Sequence, residues 1–398
     1  MGKCTNVRLI VNLYFMLTFV GFIIAVMYIS DTRQVKESFP GLFLRKIQAY
    51  RDIFALKYTP CPRPKSKLVF IKTYKTASTT VSAMLMRYGY YNNLSFVLPL
   101  KSPFFSRVKP FNRNMMKEAV PPLPSSNGSY DVHAIHVPFN KSEFAAVIHN
   151  ATYVTIIRHP VSQFESTFGF YKAATRIKSL RIDAMNSSRD PLSVFLLDPK
   201  RYYNTLRGTL KTVLRNRQIF DFGLETKDFD NDTKVGQRID AAAKEFDLVM
   251  ISEYFDESLL LLRRLLCWEF DDILYISQNK RPGQLRFSLD DWKSKQILEW
   301  NKADYKLYKH FNTTFWRKVA EYGSGFQDDL RKLRHMLDEV RSDCLDEGRH
   351  KIAYQHRRNV TMLKKNATSR CKIMNWDADV GTTVLRKRQM KNNSSSGL

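Results

Sequence analysis

Lys75 stands directly before Thr76-Ala77-Ser78-Thr79-Thr80, which puts four hydroxyl side chains in five positions. At the start of a helix this composition can grip a phosphate-like anion, because the first amides of a helix are unpaired donors and its dipole adds partial positive charge. A lysine and hydroxyls beside those amides complete a cradle. The same residues also describe a plain helix start with a solvated lysine. They do not form a Walker A loop, since Gly-x-x-x-x-Gly-Lys-Ser/Thr is absent, and that counts against a nucleotide triphosphatase or a kinase. A second cluster runs from Arg158-His159-Pro160 to Ser166. It offers a guanidinium and, about two helical turns later, a hydroxyl, and the two can hold a second phosphate. Taken singly, each is an ordinary surface arginine or helix serine. No cysteine falls in a Cys-x-x-Cys pair, so no metal site is expected.

These residues need elements to hold them. Leu68-Val69-Phe70-Ile71 is a short apolar run suited to a buried strand, Thr73–Thr76 reads as a turn, and Ala77–Arg87 as a helix. Tyr153–Ile157 repeats the pattern, closed by Arg158-His159-Pro160 and a helix to about Tyr171. Asp247–Ser252 with a helix over Asp256–Leu266 repeats it again. Strands alternating with helices predict an α/β fold with a mainly parallel sheet covered on both faces. Arg158 then lies at the carboxyl end of a strand, where open α/β sheets bind ligands. Residues 99–130 are rich in Pro, Ser and Asn and read as a surface excursion. After about Gly348 the chain is polar and basic, and its Asn-Ser-Ser-Ser-Gly-Leu end is expected to be disordered.

Around this core the composition is that of a globular protein, with 44% hydrophobic, 26% charged and 13% aromatic residues in a chain of 398. The net charge of +26 favours anionic partners: nucleic acid, anionic membrane, nucleotides or acidic sugars. Leu9–Ile29 carries no charged residue, and at ~1.5 Å per residue it is long enough to cross a bilayer core of ~30 Å. Lys3 and Arg8 precede it, while Asp31, Arg33, Lys36 and Glu37 nearly cancel after it. The positive-inside rule therefore predicts a cytoplasmic tail over 1–8 and a retained anchor over 9–29, with the body lumenal. A stem over 30–66 ends in Thr-Pro-Cys-Pro-Arg-Pro. The main domain is expected over 67–347 and a polar extension over 348–398. Eleven Asn-x-Ser/Thr sequons all fall beyond the anchor. So do Cys61, Cys267, Cys344 and Cys371, which permit two disulfides in any of three connectivities.

The two anion clusters together resemble the sulfotransferase family, in which a loop after the first strand binds a 5′-phosphosulfate and an Arg-then-Ser site binds the 3′-phosphate. Glu253-Tyr254-Phe255-Asp256-Glu257-Ser258-Leu259, Leu265-Leu266-Cys267-Trp268-Glu269 and Asp272-Ile273-Leu274-Tyr275 resemble the galactose 3-O-sulfotransferases, the family that includes galactosylceramide sulfotransferase. So do Leu307–Asn312 and Phe315–Val319, in the same order across roughly residues 68–344. The resemblance implies a sulfotransferase-type P-loop fold with 3′-phosphoadenylyl sulfate as co-substrate and no metal requirement. The acceptor would be the 3-hydroxyl of a terminal galactose on a glycolipid or glycoprotein glycan, in the Golgi membrane, with no nucleic acid partner. It assigns Lys75 to the bridging and leaving oxygens, Thr76, Ala77, Ser78, Thr79 and Thr80 to the 5′ group, and Arg158 and Ser166 to the 3′-phosphate. An acceptor hydroxyl needs a base. His136 resembles a histidine in the corresponding segment of the family and is the candidate, with His133 in reserve. His159 departs from the family pattern, where Asp usually stands between Arg and Pro. Two other readings compete: a Golgi glycan sulfotransferase acting on uronic acid in heparan or chondroitin chains, and a catalytically silent anchored glycan-binding protein.

Overall fold

Leu68-Val69-Phe70-Ile71 has only apolar side chains, and all four are at most 2% exposed as the first strand, β1 (Leu68–Ile71). Removing a side chain of this size from water stabilises the fold by ~1.5–3 kcal/mol, so such a run belongs at a sheet's centre. The computed structural model describes residues 63–277, 286–353 and 358–395. The expected tail, the anchor, the stem up to residue 62 and Cys61 lie outside them.

Three further strands join β1: β2 (Val132–His133), β3 (Thr152–Ile157) and β4 (Leu248–Ile251). The order is β2-β1-β3-β4 with every pair parallel, and the register sets Leu68 against Val132 and Thr152, and Val154 against Leu248. The α/β class and the parallel sheet are as the alternation predicts. From β1 the chain moves to β2 on one side and then crosses to β3 on the other. The order therefore reverses between β1 and β3, and a crevice opens at their carboxyl ends, the usual ligand position in such sheets.

The helices that bear on this crevice, in chain order, are α1 (Ser78–Tyr91), α2 (Pro160–Phe170), α3 (Arg217–Asp221), α4 (Phe255–Leu266), α5 (Lys302–Tyr322) and α6 (Ala378–Ser395). One apolar cluster fills the sheet's surroundings. A second, containing Phe164, Phe168, Phe195 and Trp300, also takes in Tyr74 from the loop after β1. The crevice lies where the two cores meet.

The structure departs from expectation in two places. Residues 99–130 are irregular but anchored, because Phe111, Val120 and Leu123 are at most 1% exposed. The segment after 348, expected as a polar extension, packs against the main domain. After an antiparallel hairpin, β5 (Leu345–Ala353) with β6 (Arg358–Leu363), α6 lies along α1. Gly381 allows the close approach, since a Cβ there would come within 2.8 Å of Met86 Sδ. Gln389 is fully buried, its Oε1 accepting from Phe96 N (2.8 Å) and its Nε2 donating to Phe96 O (3.1 Å). The helix continues to Ser395, where disorder is expected from composition. Leu385 is the fully buried apolar residue of α6, and beside it a glycine and the polar Gln389 and Thr382 make the contact, so hydropathy does not reveal it. The cysteines agree with expectation: Cys344 pairs with Cys371, and Cys267 is disulfide-bonded as well.

Candidate active site

The loop Lys72–Ala77 leaves β1 at the crevice and is braced from within. The Thr73 hydroxyl donates to the Ile156 carbonyl of β3 and shares a hydrogen bond with the Thr76 hydroxyl (2.7 Å). The Ser78 hydroxyl returns to Thr73 O (2.5 Å). Thr76 and Ser78 therefore shape the loop with their side chains, and Thr80 is buried in α1. Lys75 (φ 62°) and Ala77 (φ 64°) are left-handed. For residues with a Cβ this conformation costs on the order of 1–3 kcal/mol each and clusters at functional sites. Ala77 caps α1 without a side-chain acceptor; Thr80 N donates to Ala77 O (3.0 Å), which leaves the amides of Ser78 and Thr79 as the donors to offer an anion.

Arg158 follows β3 at the next position along the crevice. Its Nη1 donates to Lys75 O (3.3 Å), and its Nε lies 3.9 Å from Glu253 Oε1. Glu253 also accepts from the amide of His159 (2.9 Å). The His159 ring meets Tyr308 and Tyr305 of α5 edge-on, with centroids 5.0 and 6.2 Å away. The Lys75 ammonium rests 4.1 Å from the Phe170 ring centroid. On α2 the half-buried positions are Ser162, Ser166, Gly169 and Phe170, a single helical stripe. Ser166 is thus one turn from Phe170, on the face where Lys75 sits.

His136 joins the same loop from the segment after β2. Its Nδ1 is 2.8 Å from Lys72 O. A carbonyl only accepts, so Nδ1 carries the hydrogen and the neutral ring keeps a lone pair on Nε2. The ring stacks on Tyr74 at 4.0 Å. Burial, then the positive charges of Lys72, Arg217 and Arg107, hold its pKa well below the usual imidazole range. His133 is different. It is fully buried, its Nε2 held by Ile135 O (3.1 Å), among the rings of Phe105, Phe111 and Phe144. Burial lowers its pKa to about 3, and this closed setting gives it no contact with an acceptor.

Several residues at the site carry no signal in the sequence. Lys72 is buried and donates to Thr79 Oγ1 (3.0 Å); burial lowers its pKa to about 8, opposed by Asp379 and Asp377 near the start of α6. Tyr74 is 5% exposed, and its hydroxyl has no hydrogen-bond partner. Arg217 and Gln218 come from α3: Arg217 lies 143 residues beyond the Tyr74 ring it covers, and Gln218 lies 60 residues beyond Arg158, whose backbone it bonds. A basic or aromatic residue at such a distance looks like any other in the sequence.

The arrangement can therefore surround one anion with the loop and another with Arg158, and set a neutral imidazole beside them. A family model described as Galactose-3-O-sulfotransferase matches residues 4–386. The galactosylceramide sulfotransferase of Bos taurus is 34% identical over 289 residues, covering 72% of this chain and 66% of that protein, so the matched part spans just under two thirds of that relative. The galactose-3-O-sulfotransferase 3 of Homo sapiens is 34% identical over 312 residues (75% and 69%). The galactose-3-O-sulfotransferase 2 of Mus musculus is 32% identical over 291 residues (71% and 71%).

Proposed function

The chain belongs to the galactose-3-O-sulfotransferase family, and from that premise we propose that it moves a sulfuryl group from 3′-phosphoadenylyl sulfate to the 3-hydroxyl of a terminal galactose on a glycolipid or glycoprotein glycan. The observation that carries the reading is convergence on a single loop. Lys75 belongs to it, Arg158 bonds to its Lys75 carbonyl, and His136 bonds to its Lys72 carbonyl.

In this reading Arg158 and Ser166 take the donor's 3′-phosphate, and the amides and lysine of the loop take the 5′ group. His136 Nε2 accepts the proton of the galactose hydroxyl as that oxygen bonds to sulfur. The bond from sulfur to the phosphate oxygen breaks, and Lys75 neutralises the charge left on 3′-phosphoadenosine 5′-phosphate. Alignment and charge do most of the work, as in phosphoryl transfer. The direct test is to incubate the purified protein with sulfur-labelled donor and a panel of acceptors. Label should enter terminal galactosides and be absent from the 3-deoxy analogue. Label in heparan or chondroitin uronic acid instead would overturn the reading.

The proposal extends to location: a single-pass type II protein of the Golgi membrane with its catalytic domain lumenal. Its support is the apolar run Leu9–Ile29, the preceding Lys3 and Arg8, and the sequons beyond. Glycosidase treatment should sharpen and lower the band of the membrane-extracted protein. An unaffected band from a carbonate-extractable protein would sink it.

A further inference from the structure

Arg158 lies one residue past the end of β3, where the sheet no longer supplies partners for its backbone. A side chain supplies them instead. Gln218, fully buried on α3, accepts from Arg158 N with its Oε1 (2.7 Å) and donates to Arg158 O with its Nε2 (2.8 Å). The primary amide imitates a neighbouring strand at the residue expected, together with Ser166, to hold the 3′-phosphate.

The adjacent residue on α3 reaches the other end of the site. Arg217 is 1% exposed and engages Asp221 through two bonds (2.7 and 3.2 Å), Thr212 Oγ1 (3.0 Å) and Arg107 O (2.9 Å). With its donors so fixed, its guanidinium carbon lies 4.0 Å from the Tyr74 ring centroid, and Tyr74 in turn stacks on His136. The segment bearing His136 is also tied to α3, since Phe139 N donates to Asp221 O (2.9 Å). Gly223 (φ 97°) lets the chain pass under it; a Cβ there would lie 2.8 Å from Phe139 O.

A helix of one and a half turns is not rigid alone, and α3 is anchored from α5. The fully buried Asp304 carboxylate accepts from Gln218 N (3.1 Å) and Ile219 N (2.7 Å). Asn301 Oδ1 accepts from Asn216 N (2.8 Å), and Asn216 Oδ1 accepts from Asp304 N (3.1 Å). These buried polar groups are mutually satisfied, which is what makes such a network specify one geometry.

We propose that α3 is a strut that fixes the spacing of the reacting constellation, with Gln218 positioning Arg158, Arg217 positioning His136 through the Tyr74 ring, and Asp304 holding the strut to α5. This rests on the donor reading above. Neither Gln218 nor Arg217 is assigned a contact with substrate; both are positioning residues. Transfer depends on holding acceptor oxygen, sulfur and leaving oxygen in line, where a displacement of ~1 Å can cost ~10²-fold.

The test reads two quantities on the purified full-length protein: the ratio of affinities for 3′-phosphoadenosine 5′-phosphate and adenosine 5′-phosphate, and turnover at saturating donor and acceptor. Gln218→Met keeps the side chain's length and removes both bonds to Arg158. It should lower the affinity ratio about tenfold, as Arg158 loses its orientation. Arg217→Lys keeps the charge but loses the planar fork. It should lower turnover roughly 10- to 100-fold and leave the affinity ratio intact. Asp304→Asn turns an amide donor toward the α3 amides and should lower both readouts in a folded protein. It also keeps the idea open to refutation if Gln218→Met fails to fold. A merely structural role would reduce the amount of active protein without changing the ratio or dividing the two readouts between Gln218 and Arg217. Wild-type discrimination and turnover surviving in the folded variants overturn the strut alone. A wild-type protein that binds neither nucleotide overturns the donor reading, and the strut with it.

Discussion

Arg158→Ala should weaken 3′-phosphoadenosine 5′-phosphate while barely touching adenosine 5′-phosphate. A hydrogen bond to a charged group contributes ~1.5–3 kcal/mol. Without ligand, however, Arg158 faces Glu253 at 3.9 Å, with side chains 31% and 29% exposed. A pair this long and this accessible to water is worth ~0–1 kcal/mol, and a phosphate must displace or share it. The net loss is then ~0.5–3 kcal/mol, or about 2- to 140-fold at ~1.4 kcal/mol per decade. The same reasoning predicts a gain. Glu253→Gln keeps an oxygen for the His159 amide but removes the competing charge. It should tighten the 3′-phosphorylated nucleotide by up to about fivefold, less so at high salt, where the screening length shortens to a few ångströms. Titration calorimetry with both nucleotides measures each quantity directly. Equal losses for the two nucleotides in Arg158→Ala, or weaker binding in Glu253→Gln, would refute the assignment of Arg158 to the 3′ group.

His136→Asn keeps a donor for Lys72 O but cannot take a proton, so turnover should fall ~10²–10⁴-fold with nucleotide affinity near normal; a folded variant with wild-type turnover removes His136 from the mechanism. An exposed imidazole would lose its basicity near pH ~6.5. Because burial and the flanking cations lower the His136 pKa, the rate should instead hold below that pH before its acid limb begins, as a pH–rate profile will report. The sign for stability is the same. The unfolded chain takes up this proton more readily than the folded one, so the contribution of neutral His136 is present at neutral pH and lost as pH falls below ~6.5. Cys371→Ser opens a bond joining residues 27 apart and should cost ~3.5 kcal/mol by loop entropy, seen as a lower urea midpoint.

The sequence carries the sheet well, and physical reasons explain where it stops. β1 and β4 are unbroken apolar runs and β3 is apolar but for Thr152 and Thr155; all three are buried along their length, and each is followed by a helix whose start is marked by polar residues. β2 is two residues long and has no such run, so its histidine cannot be told from the one three positions later. Only packing separates them: His133 lies among three phenylalanines, while His136 lies against a tyrosine at the crevice. Arg158 is legible because it directly follows a strand, and Lys75 because it stands between a strand and a hydroxyl-rich helix start. Lys72 and Tyr74 lie in the loop itself, but their contacts to His136 and Arg217, like that of Gln218 to Arg158, join residues 60 or more apart, which no local pattern encodes.

The motif blocks beyond the crevice gain a physical meaning from this geometry. Glu253 stands at the carboxyl end of β4, where it holds the His159 amide and faces Arg158. Five residues on, Ser258 of α4 both donates to Ile251 O and accepts from Ile251 N (3.0 Å each), so the start of α4 is locked to the end of the same strand. Trp268 stacks on Tyr88 of α1 at 3.9 Å, behind the helix whose first turn forms the loop's far wall. None of these residues needs to touch a substrate to be required. Each fixes the end of a strand or helix that carries a residue of the crevice. A sulfuryl acceptor that must lie in line with its leaving group tolerates little slack in those ends.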